Sequence, residues 1–171
     1  LALLVFLRVQ DNGLVETARL KSFDYLQSTD PITVSDDIVI VEVDEASIEM
    51  NGQWPWSRDK IADLIWTLRE QGAGIIILPI LFAEEDRDNQ DMALAQALVQ
   101  NGVIIAQVGT TQTNKNAVPR GVAKIGDPIP WLFQWPGMLG PIELLGLNAD
   151  GVGVINIAPE IDGVVRRVPL I

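Results

Sequence analysis

The side chains able to do chemistry are few, because the 171-residue chain contains neither histidine nor cysteine. Ser-His-Asp and Cys-His nucleophilic sites, HExxH zinc sites and imidazole general bases are therefore excluded, which leaves carboxylates, lysines, Tyr25 and the serines for any catalysis. The lack of cysteine removes disulfides and thiol chemistry without fixing a compartment. Nor does the chain contain GxGxxG or GxxxxGK[ST], the glycine-rich cradles that hold phosphates.

Three stretches concentrate polar groups. VEVDEAS sets Asp44 and Glu45 at the end of the apolar run IVIVEVD; if that run is a strand, Asp44 lies where open α/β sheets bind ligands, outside the carboxyl ends of their strands. Its other role, the favoured one, is to shape the following loop through backbone hydrogen bonds. EEDRDNQD gathers Glu84, Glu85, Asp86, Asp88 and Asp91. The EF-hand pattern fails there, with no glycine at the turn position and no glutamate at the twelfth, so a solvated loop with an acidic first helical turn is expected rather than a metal site. GQWPWSRDK flanks Pro55 with Trp54 and Trp56, indoles that can each bury about 200 Å². Arg58 falls in a first helical turn, where the macrodipole disfavours a cation, so a carboxylate should hold it. The stretch reads either as a ligand grip or as a plug over the end of the sheet, with Arg58 paired to Asp44 or Asp162. The spacing by itself favours the plug. A glycosidase-like carboxylate pair such as Asp44 with Asp162 has no specified separation, and no catalytic residue is assigned.

The elements that must position these groups alternate. Leu1 to about Tyr25 reads as helix, and STDPITVSDD as a connector. IVIVEVD is a β-branched run suited to a strand buried on both faces. Ser57 stands where its hydroxyl can cap a helix to about Gln71, whose Ile61, Leu64, Ile65 and Leu68 share one face. GIIILPILF is a second strand, cut short by Pro79, and DMALAQALVQNG a helix stopped by Gly102. VIIAQVG is a third strand. The stretch from Thr110 to Gly140 has no sustained period, Pro141 can open a short helix, and GVINIA with GVVRRVPL suits an antiparallel pair. The expected fold is α/β: a mixed, mainly parallel sheet flanked by helices, with a long N-terminal helix and a C-terminal antiparallel hairpin.

The composition, 48% hydrophobic and 20% charged, is that of a chain able to bury a core. A net charge of −11 argues against nucleic acid or an anionic membrane surface as partner, since both call for clustered Lys and Arg. LALLVFLRVQ opens without an initiator methionine, so a piece of a longer protein is expected. Leu1 to Leu7 are too few to cross a bilayer, which takes about 20 residues. They read either as the outer end of a membrane span or as part of a core helix.

From residue 36 to 171 the order of VDEAS, WPW.R, the strand before LF, the D.ALA helix and G..N.....DGV.R..PL resembles the second subtype of the CHASE domains, the cyclase and histidine-kinase associated sensory extracellular domains. The chain departs from the resemblance at Pro79, where the family commonly carries Asp; if that Asp serves a sensory pocket, the pocket here is altered. The resemblance implies an extracytoplasmic domain of a bacterial membrane receptor. One transmembrane helix would precede it, with LALLVFL as its outer end, and further spans and a cytoplasmic adenylate/guanylate cyclase, histidine kinase or Ser/Thr kinase would follow. It also implies residues 1–30 as a membrane-proximal helix, residues 31–171 as the sensor, a homodimer through the N-terminal helix, and no cofactor or catalysis in this domain. The candidate contacts for a small-molecule ligand are Asp44, Trp56, Arg58, Asp162 and Arg166. The alternative is a structural or dimerising module that binds no ligand.

Overall fold

Ten short elements build the described part of the chain. The computed structural model describes residues 13–29, 35–99, 101–113, 115–116, 126, 134–157 and 159–166. The chain divides into two compact units, one of residues 1–42 with 157–170 and the other centred on residues 43–156.

In the first unit, α1 (Gly13–Thr29) is the long N-terminal helix. Leu20 is buried on it, whereas Val15, Phe23, Tyr25 and Leu26 are exposed. The unit also holds a turn near the C-terminus, where the Glu160 amide donates to the Val164 carbonyl at 3.0 Å and the Gly163 amide to Glu160 at 2.9 Å. Residues 1–12, which include LALLVFL, lie outside the described residues, as do residues 167–171 of the expected hairpin; its described residues 163–166 form no strand, and Gly153 and Val154 of its first arm join a strand of the parallel sheet instead. Among the described residues, no helix is long and apolar enough to cross a membrane.

The second unit is a sheet with helices packed on it. Its helices are α2 (Glu45–Asn51), α3 (Arg58–Glu70), α4 (Asp91–Leu98) and α5 (Glu143–Asn148). Its strands are β1 (Ile76–Leu78), β2 (Val103–Thr110), β3 (Lys115–Asn116), β4 (Gly137–Leu139) and β5 (Gly151–Val154). β2 runs parallel to β1, with Ile76 opposite Val103, and parallel to β5, with Ile104 opposite Gly151. β4 pairs antiparallel with the last three residues of β2, and β3 runs parallel to β4. The sheet is therefore mixed and mainly parallel, with helices against it.

Of the expected α3 face, Ile61, Ile65 and Leu68 meet the core, and Leu64 stays half-buried outside the core cluster. Ile61, Ala62 and Ile65 are buried, Leu68 packs beside them, and Lys60, Asp63, Trp66, Thr67 and Glu70 face outward. Together with Ile76, Leu78, Phe82, Leu94, Leu98, Val103, Ile105 and Leu145 they form one core cluster. Each fully buried Ile or Leu there contributes about 1.5–3 kcal/mol. The helix stops at Gly72, whose φ of +93° suits glycine, and the Arg69 guanidinium donates to the Ala73 and Gly74 carbonyls beyond it. β1 ends at Leu78 because Pro79 offers no amide to a ladder.

Three further expectations change. Ile38 to Asp44 belongs to no strand, and Ile38, Val39, Ile40, Val41 and Val43 are exposed. A β-branched run favours a pleated, half-buried surface, and without a paired neighbour its propensity alone does not make a strand. Ser57 occupies the cap position of α3 but makes no side-chain cap bond; its hydroxyl engages Asp59 instead. Pro141 precedes the cap of α5, Ile142, rather than opening the helix.

Candidate functional site

Asp44 is the N-cap of α2. Its Oδ1 accepts from the Ser47 amide at 2.8 Å and the Ser47 hydroxyl at 2.6 Å, which holds the Asp44 carboxyl below the usual carboxylate range. This is the loop-shaping role. Asp44 does not end a strand, since among the described residues none precedes it.

The loop after α2 carries the two indoles. The Trp54–Pro55 peptide is cis, and the Trp54 and Trp56 rings meet edge to face with centroids 5.6 Å apart. Trp56 Nε1 donates to the Gly52 carbonyl at 2.8 Å, and its ring packs against the core. Arg58 follows as the first residue of α3, and a carboxylate does hold it. The partner is Asp91, not Asp44 or Asp162: Nε lies 3.2 Å from Asp91 Oδ1, and both side chains are largely buried. Nη2 donates to the Glu84 carbonyl at 3.1 Å, and the guanidinium stands 4.5 Å over the Phe82 ring centroid. Asp91 Oδ2 in turn accepts from the Asp86 amide at 2.8 Å, and Asp86 Oδ2 accepts from Gln90 at 3.1 Å. The acidic loop is folded on itself around Arg58. Among the described residues, no group of three or more acidic side chains is arranged to hold a metal ion.

At the carboxyl end of β2 the structure adds residues that sequence reasoning passed over. Asn156 brackets Gly109, with Oδ1 accepting from its amide at 2.5 Å and Nδ2 donating to its carbonyl at 3.0 Å. Asp150 does the same service at the start of the strand, accepting from Gly102 at 2.6 Å and Val103 at 3.3 Å. The Trp135 ring lies so close over Gly109 that an added Cβ would stand 2.3 Å from it. Two residues earlier on the same face of β2, Gln107 buries its Oε1 without a hydrogen-bond partner among the described residues. A buried acceptor of this kind is costly to leave unpaired, and a ligand N–H or O–H would satisfy it.

Asp162 and Arg166 lie in the other unit, together with Asp24 of α1. Arg166 Nε and Nη2 fork onto the Asp24 carboxylate at 2.6 and 2.8 Å, while Nη1 and Nη2 fork onto Asp162 at 2.8 and 2.7 Å. The Arg166 side chain is 4% exposed. Its guanidinium pulls both carboxyls below their usual range, and the two carboxylates push Arg166 further above an already high value. Thus the five candidates fall into two groups, one in each unit. Asp44, Trp56 and Arg58 belong to the sheet unit, with Asp44 capping α2 and Trp56 and Arg58 packed on the core, and Asp162 and Arg166 form an ion cluster with Asp24 within the first unit.

The model of the CHASE2 domain family matches residues 1–171. The chain belongs to the CHASE2 domain family. No curated protein and no solved structure matches it. CHASE2 domains are extracellular sensory domains of signalling receptors, and their role is sensory rather than catalytic. In this CHASE2 domain, the residues missed from sequence are mainly partners. Asp91 carried a usable signal, as the acidic residue opening the D.ALA helix. Asp24 carried none, since 142 positions separate it from Arg166.

Proposed function

We propose that the chain is the extracytoplasmic sensory domain of a bacterial transmembrane receptor, passing a ligand or conformational signal to a cytoplasmic adenylate/guanylate cyclase, histidine kinase or Ser/Thr kinase. The observation that carries this reading is CHASE2 family membership over residues 1–171. The domain works as a homodimer through its N-terminal helix, and the segments flanking it lead to membrane spans. A ligand acts by binding one of two conformations more tightly, and a coupling of about 1–3 kcal/mol is enough. The Gln107 acceptor, at the last parallel pair of β2 with β5, is where a small molecule bearing an N–H or O–H donor binds. Trp56 and Arg58 belong to the frame of that unit, and any contact they make with ligand is through the faces left open.

A second reading, a ligand-independent dimerising module, is favoured by the internal partners of Asp44, Arg58, Asp162 and Arg166. Thermal shift of the chain against metabolite, metal and salt panels, read with sedimentation, separates the two. A saturable rise in Tm supports sensing. A broad panel without any shift, together with a stable dimer, supports the structural module.

A further inference from the structure

Arg166 joins parts of the chain that nothing local brings together. Its partner Asp162 lies four residues away in the same turn, where Asp162 Oδ1 also accepts from the Val164 amide at 3.2 Å. Its other partner, Asp24, is on α1, one helical turn beyond the buried Leu20 and therefore on the same face. A planar guanidinium forked onto two carboxylates fixes direction as well as distance, so a rotation or shift of one side is passed to the other. Lys21, on the turn of α1 before Asp24, adds positive charge near both carboxylates and offsets the cluster's surplus negative charge.

The two sides of the cluster are not equivalent. The Asp162 side chain is 15% exposed, and that of Asp24 is 39%. Releasing Asp24 returns a carboxylate to water and leaves Arg166 still forked onto Asp162. Releasing Asp162 would also strip the Val164 amide of its acceptor. We propose that the Asp24–Arg166 contact is a releasable joint between α1 and the C-terminal turn, closed in the conformation described here and opened in the other signalling state. The joint is a positioning device and touches no ligand. Its signalling purpose rests on the sensory reading above; its mechanical behaviour does not.

Amide hydrogen exchange resolved by segment tests it on the chain with Asp24→Asn and Asp162→Asn. Asp24→Asn should raise exchange along α1 about ten-fold or more, as expected for loss of a charged hydrogen-bonded pair, and leave the Glu160–Val164 turn and β2 unchanged. Asp162→Asn should raise exchange in the turn and leave α1 protected. If Asp24→Asn leaves α1 within two-fold of wild type, or raises exchange in β2 as much as in α1, the joint is refuted; the second pattern is what a merely structural residue gives. Should Asp24→Asn fail to fold, Arg166→Lys, which keeps the charge and loses the fork, takes its place with the same expectation for α1. Receptor output is the separate arm: a shifted basal output in the full-length receptor carrying Asp24→Asn supports the signalling purpose. The exchange pattern with an unchanged output leaves the contact as a mechanical tie and overturns its opening in the other signalling state, without touching the sensory reading.

Discussion

Replacing Arg58 by alanine tests whether the WPWSR stretch is architecture. Arg58 touches Asp91 at 3.2 Å, the Glu84 carbonyl at 3.1 Å and the Phe82 ring at 4.5 Å, with its side chain only 14% exposed. Alanine removes all three contacts and leaves the Asp91 carboxylate enclosed with only the Asp86 amide for company. Breaking a buried pair from one side costs about 3–5 kcal/mol, mostly the burden of the charge left behind. In a chain of this size that corresponds to a fall in Tm of about 6–20 °C. Urea denaturation and calorimetry measure it, and the double variant Arg58→Met/Asp91→Leu should recover a large part of the loss, because an apolar pair replaces a buried ionic one at little cost. If Arg58→Ala lowered Tm by less than about 2 °C and abolished the response to a bound ligand, Arg58 would be a ligand grip, and the reasoning from its partners would be wrong.

Other consequences follow from particular contacts. Trp56→Phe keeps an aromatic ring but loses part of the indole's packing on the core and the bond from Nε1 to Gly52, so denaturation should show a loss of about 1–3 kcal/mol. Gln107→Leu removes an unpaired buried acceptor; it should leave stability unchanged or improve it by up to about 1 kcal/mol, and should abolish any ligand-induced thermal shift. Gly109→Ala drives a methyl into the Trp135 ring and should cost about 1–3 kcal/mol, part of which Trp135→Ala restores in a double-mutant cycle. Asp24 and Asp162 have folded pKa values lowered by Arg166, so the stability they contribute is fully present above about pH 4 and is lost as pH falls through those folded values. Acid titration of Asp24→Asn should therefore show a shallower loss below about pH 4 than wild type, the two curves converging as pH drops.

The parts of the fold that were legible in the sequence are those fixed by near neighbours. Ile61, Ile65 and Leu68 recur at helical spacing, Gly72 takes positive φ where its helix stops, Gly102 takes positive φ in the turn into β2 after a helix that already ends at Leu98, and Pro79 ends β1. Gly102 needs to be glycine for a second reason, because an added Cβ would stand 2.7 Å from the Gly74 carbonyl. What was not legible depends on distant partners. IVIVEVD has the composition of a buried strand, yet pairing is a property of two segments, and its apolar side chains are exposed. A lysine at Ile40 should accordingly shift Tm by less than about 2 °C, whereas a fall of more than about 6 °C would show that the run is buried after all. The candidate site divides in the same way. Arg58 announced its need for a carboxylate through its place in the first helical turn, and Asp91, 33 positions on, was marked only as the acidic residue opening the D.ALA helix, while Asp24, 142 positions from Arg166, had no mark at all. Gln107 reads as an ordinary strand residue until its unsatisfied oxygen is seen.

The absence of cysteine from the chain makes its placement in the cell directly measurable. Met50, exposed at the end of α2, accepts a Met50→Cys change without touching the core. In the full-length receptor, with cysteines elsewhere replaced, a membrane-impermeant maleimide applied to intact cells should label this position before lysis. Labelling only after the cytoplasmic membrane is permeabilised would contradict the extracytoplasmic sensor.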